Sequence, residues 1–211
     1  MLLELFGVVF GFIYLYLEIK QKQGMWLVGF LMAAVYAVVY FQQELYASMS
    51  FQIYYVLVSI YGFLQWGRDK VRANAADAVV AEDSSVASNF SGRVDGVSSQ
   101  IFYRKISLKA LLLSILVYAS AVSFMVLVLG RYTEDPMPFA DSSITVVSAI
   151  ATFWLSKSYR EQWLAGLVVN GFTVVMCARI GLYPTAVLYF VNAAASVYGY
   201  LHWKRKGVQI E

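Results

Sequence analysis

The sequence predicts an all-α membrane protein with seven transmembrane helices in a parallel 3+1+3 repeat. Three observations predict this fold class: an apolar composition, seven long apolar runs and an internal repeat. Hydrophobic residues make up 60% of the 211 residues and charged residues 14%, whereas soluble domains average roughly 45–50% and about 25%. This composition is typical of a chain solvated by lipid, and it excludes intrinsic disorder for most of the chain.

Seven apolar runs approach the roughly 20 residues that a helix needs to cross a bilayer. They cover residues 2–17, 24–41, 45–66, 108–129, 139–155, 163–180 and 182–203. Because a backbone in lipid must satisfy its own polar groups, we expect helices despite the many β-branched and aromatic residues. The runs lack the alternating polarity of barrel strands. The first run has neither the basic start nor the cleavage pattern of a signal peptide.

The basic residues are divided unequally between the two sides of the predicted bundle. If the spans alternate in direction, 14 of the 16 Lys and Arg residues lie on one side, and only Arg131 and Arg179 lie on the other. Because basic loops stay in the cytoplasm, we expect the N-terminus outside and the C-terminus inside. The net charge of +3 is too small to suggest a nucleic-acid partner.

An internal repeat relates the two halves of the chain. Residues 8–66 align with residues 145–203 at a shift of 137 positions without a gap, with fourteen identities. The third spans are the most alike, LYASMSFQIYYVLVSIYGFLQW against LYPTAVLYFVNAAASVYGYLHW, and both second spans begin Trp-Leu-x-Gly. Each helix of the second half comes four spans after its equivalent in the first half. Because four is even, the two halves have the same orientation in the membrane. Parallel repeats of this kind occur in transporters with a substrate site near the midplane, and repeats also occur in channels and receptors.

The repeat divides the chain into five segments. We expect a first three-helix repeat at 1–67, a polar cytoplasmic linker at 68–107, a connecting helix at 108–130, a second three-helix repeat at 139–203 and a basic cytoplasmic tail at 204–211. The linker contains seven serines and charges of both signs, so we expect a largely mobile tether. A regulatory or partner-binding role for this linker is the alternative.

The predicted spans lack the groups that most chemistry requires. Their interiors contain no charged pair that could relay protons or bind a coupling ion, which favours passive movement over pumping. Cys177 and His202 are the only cysteine and histidine, so we expect no disulfide, no metal site and no cofactor. No protease-like constellation is present, so we do not expect an enzyme. The missing lysine in the seventh span excludes a retinal Schiff base.

Neutral polar residues supply the candidate binding site. Gln52, Tyr55 and Ser59 share one face of the third span, because they are spaced i, i+3, i+7. The equivalent face of the seventh span carries Tyr189, Asn192 and Ser196. Hydrogen bonds between helices are the alternative role for each of these residues.

The sixth span adds Trp163 and Asn170 to the candidate site. Aromatic rings stack on flat heterocycles and attract delocalised cations, and amides bind hydroxyl or amide groups. This chemistry favours a nucleoside-like or heterocyclic vitamin over an anion. For Trp26, Trp66 and Trp203 we expect anchoring at the membrane interface.

Several stretches resemble the PnuC family of vitamin transporters. They are residues 45–66, FADSS at 139–143, and EQWLAGLVVNGFTVV at 161–175 running into GLYPTAVLYFVNAAASVYGYLHW. The resemblance implies facilitated import of nicotinamide riboside across the bacterial inner membrane, with phosphorylation by a cytoplasmic kinase trapping it. It also implies a homotrimer, an architecture related to the SWEET sugar transporters, and a pocket that includes Trp163, Asn170 and Gln52.

One position departs from the pattern of that family. The members that carry nicotinamide riboside typically show Trp-x-x-Trp-x-x-x-Asn, whereas this chain has Trp163, Gly166 and Asn170. The resemblance therefore implies a pocket enlarged by the loss of an indole, and it leaves thiamine and riboflavin open as substrates. A SWEET-type sugar carrier is a more distant alternative, and a non-transporting receptor is a third.

Overall fold

The computed structural model describes residues 2–42, 46–83, 101–132, 138–179 and 181–210. Within them, seven α-helices and two short strands follow one another. In chain order they are α1 (Leu2–Ile19), α2 (Gly24–Gln42), α3 (Tyr46–Asp83), β1 (Ile101–Tyr103), α4 (Leu108–Tyr132), α5 (Pro138–Ser156), α6 (Gln162–Arg179), α7 (Tyr183–Lys206) and β2 (Gly207–Gln209). The seven predicted spans are thus helices, which confirms the all-α prediction.

The apolar surface of the helices fits a lipid environment. By length and composition alone, the helical segments Gly24–Gln42, Leu108–Val128 and Pro138–Ser156 are suited to cross a membrane. Helix α4 exposes its large side chains most, with Leu113, Phe124 and Leu127 at 62, 68 and 72% exposure. Exposed apolar side chains in such numbers are stable against lipid or another apolar surface rather than water.

Helix α3 continues to Asp83, well past the end of its apolar run at Trp66. Hydropathy marks where a helix leaves the lipid, whereas the helix itself ends only where propensity or packing fails. The residues beyond Trp66 are rich in Ala, Arg, Lys and Asp, and Ala, Arg and Lys are strong helix formers. The first part of the predicted linker is therefore helical. Its residues 84–100 lie outside the described residues.

The chain divides into two compact units. The first comprises Met1–Tyr103, Ser156–Ser158 and Arg205–Glu211, and the second comprises Arg104–Leu155 and Tyr159–Lys204. Strands β1 and β2 account for the C-terminal part of the first unit, because they pair in parallel with Phe102 beside Val208. Three-residue strands carry no detectable period, so the sequence did not predict them. The predicted domain boundaries themselves stay a prediction.

The turns between the first and second helices of the two repeats have the same backbone. Gln21 and Ser158 both adopt a left-handed conformation, with φ of 48° and 59°, and they lie 137 positions apart. The N–H of Lys22 donates to the carbonyl of Leu17 at 2.8 Å, and that of Tyr159 donates to the carbonyl of Trp154 at 2.9 Å. Such a bond beside a left-handed residue is the Schellman helix end. The repeat therefore extends to individual hydrogen bonds.

Candidate functional site

A tryptophan at the start of the second helix packs on a glycine of the third helix in each repeat. Gly62 meets the indole of Trp26, and Gly199 meets the indole of Trp163, with indole carbons 2.7 Å from where a Cβ at Gly199 would lie. Each of these indoles also packs edge-on against a second tryptophan. The ring centroids are 5.1 Å apart for Trp26–Trp66 and 5.7 Å apart for Trp163–Trp203.

Burial of these four indoles corrects one expectation from the sequence. Trp26, Trp66, Trp163 and Trp203 are exposed by only 1, 2, 2 and 0%. An interfacial anchor needs its ring at the protein surface, so the anchoring predicted for Trp26, Trp66 and Trp203 is wrong. Hydropathy could not reveal this, because the glycines that admit Trp26 and Trp163 lie 36 residues further along the chain, and Trp66 and Trp203 are buried against these two indoles.

One turn beyond the tryptophan, a second glycine faces a buried serine. A Cβ at Gly29 would lie 3.3 Å from Ser59 Oγ, and one at Gly166 would lie 3.2 Å from Ser196 Oγ. The third helix thus approaches closely at both glycines. The missing indole at residue 166 does not leave open space in this direction, because Ser196 occupies it. The enlargement of the pocket beyond this point stays a prediction.

These contacts fix the register between α6 and α7. Trp163 faces Gly199 and Gly166 faces Ser196. Residue numbers rise along α6 while those of the facing residues fall along α7, so the two helices are antiparallel. One further turn along each helix brings Asn170 level with Asn192, because residues four apart share a face. The predicted residues Asn170 and Asn192 therefore belong to one level of the second unit.

Asn170 makes one hydrogen bond in the described structure. Its Nδ2 donates to the carbonyl of Gly166 in the same helix at 2.8 Å. Its Oδ1 accepts no hydrogen bond from the described residues, and the residue is half-buried. An amide oxygen that is neither paired nor fully exposed is suited to accept a hydrogen bond from a bound polar molecule.

The same register in the first unit places Ala33 level with Tyr55. Ala33 is buried, so this level lacks the amide that Asn170 supplies in the second unit. Tyr55 packs edge-on against Tyr54 with ring centroids 5.4 Å apart. Gln52 lies one turn earlier on α3 and is half-buried, as are Tyr55 and the predicted site residues Tyr189 and Asn192.

The six predicted site residues divide between the two units. Gln52 and Tyr55 belong to the first, and the second contains Trp163, Asn170, Tyr189 and Asn192. Five of the six are half-buried, which suits side chains that contact a ligand. Trp163 is instead buried between Gly199 and Trp203. Throughout the described ranges, no group of three or more metal-ligating side chains occurs.

The sequence did not predict that Gln21 links the turn between α1 and α2 to strand β1. The side chain of Gln21 bonds both backbone groups of Phe102. Its Nε2 donates to the Phe102 carbonyl at 2.7 Å, and its Oε1 accepts from the Phe102 N–H at 2.6 Å. Its Nε2 also lies 3.3 Å from Ser158 Oγ. The only sequence signal is the preceding identity of Lys20 and Lys157 in the repeat alignment, so this link was not predictable.

The apolar helices and their duplicated tryptophan–glycine contacts are those of a multi-pass membrane protein of the transporter class. A family model described as "Nicotinamide mononucleotide transporter" matches residues 1–205. The chain belongs to this family. Its apolar helices and bacterial relatives make it a multi-pass protein of the inner membrane.

Relatives and a solved structure agree with this assignment. The nicotinamide riboside transporter PnuC of Escherichia coli (strain K12) is 24% identical over 209 residues, covering 95% of this chain and 84% of the relative. The protein of the same name from Neisseria mucosa is 26% identical over 194 residues, covering 88% and 65%. The structure titled "Crystal structure of the Vitamin B3 transporter PnuC" matches with a TM-score of 0.62 at 22% identity, covering 93% of this chain and 78% of that one. The structural match confirms the fold.

Proposed function

We propose that this protein imports nicotinamide riboside, a vitamin B3 nucleoside, by facilitated diffusion. The observation that carries the proposal is the level formed by Asn170 and Asn192 in the second unit, where the amide oxygen of Asn170 accepts no hydrogen bond from the described residues. The names of the relatives from Escherichia coli and Neisseria mucosa support the substrate.

The predicted site residues supply groups that match this substrate. Nicotinamide riboside carries a carboxamide on a cationic aromatic ring and hydroxyls on a ribose. In the second unit, Asn170 and Asn192 offer donors and acceptors to the amide and the hydroxyls. In the same unit, Tyr189 offers a ring face that attracts a delocalised cation. Trp163 acts from two turns away, because its packing on Gly199 sets the distance between α6 and α7.

The absence of charge from the span interiors supports a passive mechanism. Pumps driven by protons or ions place acidic or basic groups within the membrane, and the apolar runs of this sequence carry such groups only at or near their ends. Net uptake then needs a chemical sink. Phosphorylation by a cytoplasmic kinase adds roughly two negative charges, which a span lined by neutral groups does not neutralise. The kinase needs no direct contact with the transporter.

The orientation and assembly belong to the same proposal. The unequal division of the basic residues supports an outside N-terminus and a cytoplasmic C-terminus. The exposed apolar face of α4, with Leu113 and Leu127, supports contact with lipid or with neighbouring copies in a homotrimer. Crosslinking in native membranes, before the protein is extracted, measures the number of copies, and a trimer is the expected product.

Transport into proteoliposomes tests the proposed function. Radiolabelled nicotinamide riboside is expected to enter until its internal and external concentrations are equal, with no ion gradient present. Unlabelled nicotinamide riboside should compete with it. Uptake that requires a proton gradient would contradict passive transport, and the absence of uptake would contradict the substrate.

Two further substrates in the same vesicles separate the alternatives. Gly166, which replaces the tryptophan expected from the family pattern, is the observation that keeps thiamine in consideration. Equilibration of labelled thiamine without that of nicotinamide riboside would favour a thiamine transporter of the same family. Counterflow of labelled glucose would instead favour a sugar carrier.

A further inference from the structure

A groove opens on α3 where the helix passes from apolar to basic sequence. Its volume is about 440 Å³. The side chains along it change in character in the direction of the chain, from Phe63 and Leu64 at one end to Arg68 and Arg72 at the other. At 1.5 Å per residue, these nine steps span about 14 Å along the helix.

A hydrogen bond joins two of the residues that line the groove. Nε2 of Gln23, before the start of α2, donates to the carbonyl of Phe63 at 2.9 Å. A Cβ at Gly67 would lie 3.1 Å from that same Nε2. Glycine at residue 67 therefore leaves room for Gln23 to reach α3. The groove therefore lies where the turn before α2 contacts α3.

The apolar end of the groove faces outwards. Phe63 is 40% exposed and Leu64 is 53% exposed. These residues lie within the last predicted turns of the third span, where the surroundings are lipid. A ligand that reaches them from the basic end must therefore have an apolar portion that lies along the helix.

The basic end of the groove carries two exposed arginines. Arg68 and Arg72 share a helix face at i and i+4 and form no ion pair among the described side chains. Partial burial, and secondly the charge of Lys22, lower the pKa of the neighbouring Lys70. Lys22 and Lys70 therefore lie close enough to repel each other, which adds positive charge to this end of α3.

We propose that this groove binds an anionic diacyl phospholipid. Arg68 and Arg72 bind its phosphate, and an acyl chain lies against Phe63 and Leu64. The order of groups along α3 matches the order of groups in the lipid, from hydrocarbon to headgroup. Guanidinium groups bind phosphate oxygens with two parallel hydrogen bonds, and basic sites at this level of a membrane protein are suited to anionic headgroups. This site is separate from the transported substrate and does not rest on its identity.

Lipid binding by native mass spectrometry tests the proposal. The full-length protein is released from detergent after incubation with phosphatidylglycerol, phosphatidylcholine or inorganic phosphate. Phosphatidylglycerol is expected to bind at least tenfold more tightly than phosphatidylcholine, and inorganic phosphate is expected not to compete at a hundredfold excess. Equal binding of the two lipids, or displacement by phosphate, would overturn the proposal.

Two variants and a control locate the site. The double variant R68Q/R72Q should weaken phosphatidylglycerol binding by about thirtyfold, at about fivefold for each basic residue near the headgroup. Val71→Asp should weaken phosphatidylglycerol binding to a similar extent. Because the Val71 side chain is 69% exposed, this substitution should leave the fold intact, so misfolding would not explain the loss of binding. The control K204Q/R205Q removes the same charge from exposed positions and should change binding by less than twofold. An equal loss of phosphatidylglycerol binding in the control would show that binding depends only on the total surface charge, and it would overturn the proposal.

Discussion

In the first repeat, the face of α2 that packs against α3 carries Trp26, Gly29 and Ala33, whereas the equivalent face of α6 carries Trp163, Gly166 and Asn170. The first two levels are identical in sequence and nearly identical in contact. The third level differs, because a buried alanine stands where the second repeat has an amide. Close packing permits few substitutions where an indole meets a glycine, so the repeats stayed alike there. They differ at the level where a polar ligand is proposed to bind.

The largest expected effect comes from adding a methyl group under the indoles. Gly199→Ala places a Cβ 2.7 Å from three ring carbons of Trp163, and Gly62→Ala places one still closer to Trp26. Each should lower the free energy of unfolding by about 3 kcal/mol, since overpacking a rigid core forces backbone shifts. Thermal unfolding in detergent measures the effect, with Gly62→Ala the more severe.

Matched controls exist in both repeats. A Cβ at Gly11 or at Gly171 would meet nothing within 4 Å. Gly11→Ala and Gly171→Ala should therefore leave the unfolding temperature unchanged or raise it, because alanine is the better helix former. Equal destabilisation by controls and test variants would show that the glycines matter for the helix itself and not for the indoles.

A second comparison separates the two left-handed turns. Gln21→Leu removes both hydrogen bonds to the buried Phe102 backbone and should cost about 2 kcal/mol. Ser158→Ala removes only the 3.3 Å contact with Gln21 and should cost less than about 1 kcal/mol. Hydrogen–deuterium exchange at the Phe102 amide reports the difference directly. Slow exchange in Gln21→Leu would mean that β2 alone protects β1.

A third comparison replaces Asn170 of the second repeat by alanine, the residue at the equivalent position 33 of the first repeat. Asn170→Ala is expected to raise the KM for nicotinamide riboside about tenfold, which corresponds to the loss of roughly one hydrogen bond. Thr173→Val on the same helix removes only the bond to the Val169 carbonyl and should change the KM less than twofold. An unchanged KM in Asn170→Ala would move the site away from this level.

The smallest effects are expected at the second pair of glycines. Gly166→Ala places a Cβ 3.2 Å from Ser196 Oγ, and Gly29→Ala places one 3.1 Å from a Tyr14 ring carbon and 3.3 Å from Ser59 Oγ. Both should cost less than about 1.5 kcal/mol, with Gly29→Ala the larger because a ring must move as well as a hydroxyl. A larger loss for Gly166→Ala would show that Ser196 cannot shift. Unfolding temperatures of the two variants, measured side by side, decide this.

The sequence by itself determined the number of helices, their approximate ends and their duplication. Lipid leaves the backbone no alternative to internal hydrogen bonding, so hydropathy alone identifies the spans. The alignment at a shift of 137 positions then identified which residues of the two halves are equivalent. The same reasoning placed the end of α3 too early. The fall in hydropathy after Trp66 marks where the helix leaves the lipid and not where the helix ends.

Only the tertiary structure decided what the tryptophans and glycines do. An indole at a membrane interface and an indole buried on a glycine have the same sequence signal, and Trp26 is of the second kind. The pairing of β1 with β2 and the bonds from Gln21 to Phe102 likewise join residues about 80 or more positions apart. Helical period and hydropathy act over a few turns, whereas these contacts depend on how distant segments pack, and that is fixed only when the whole chain folds.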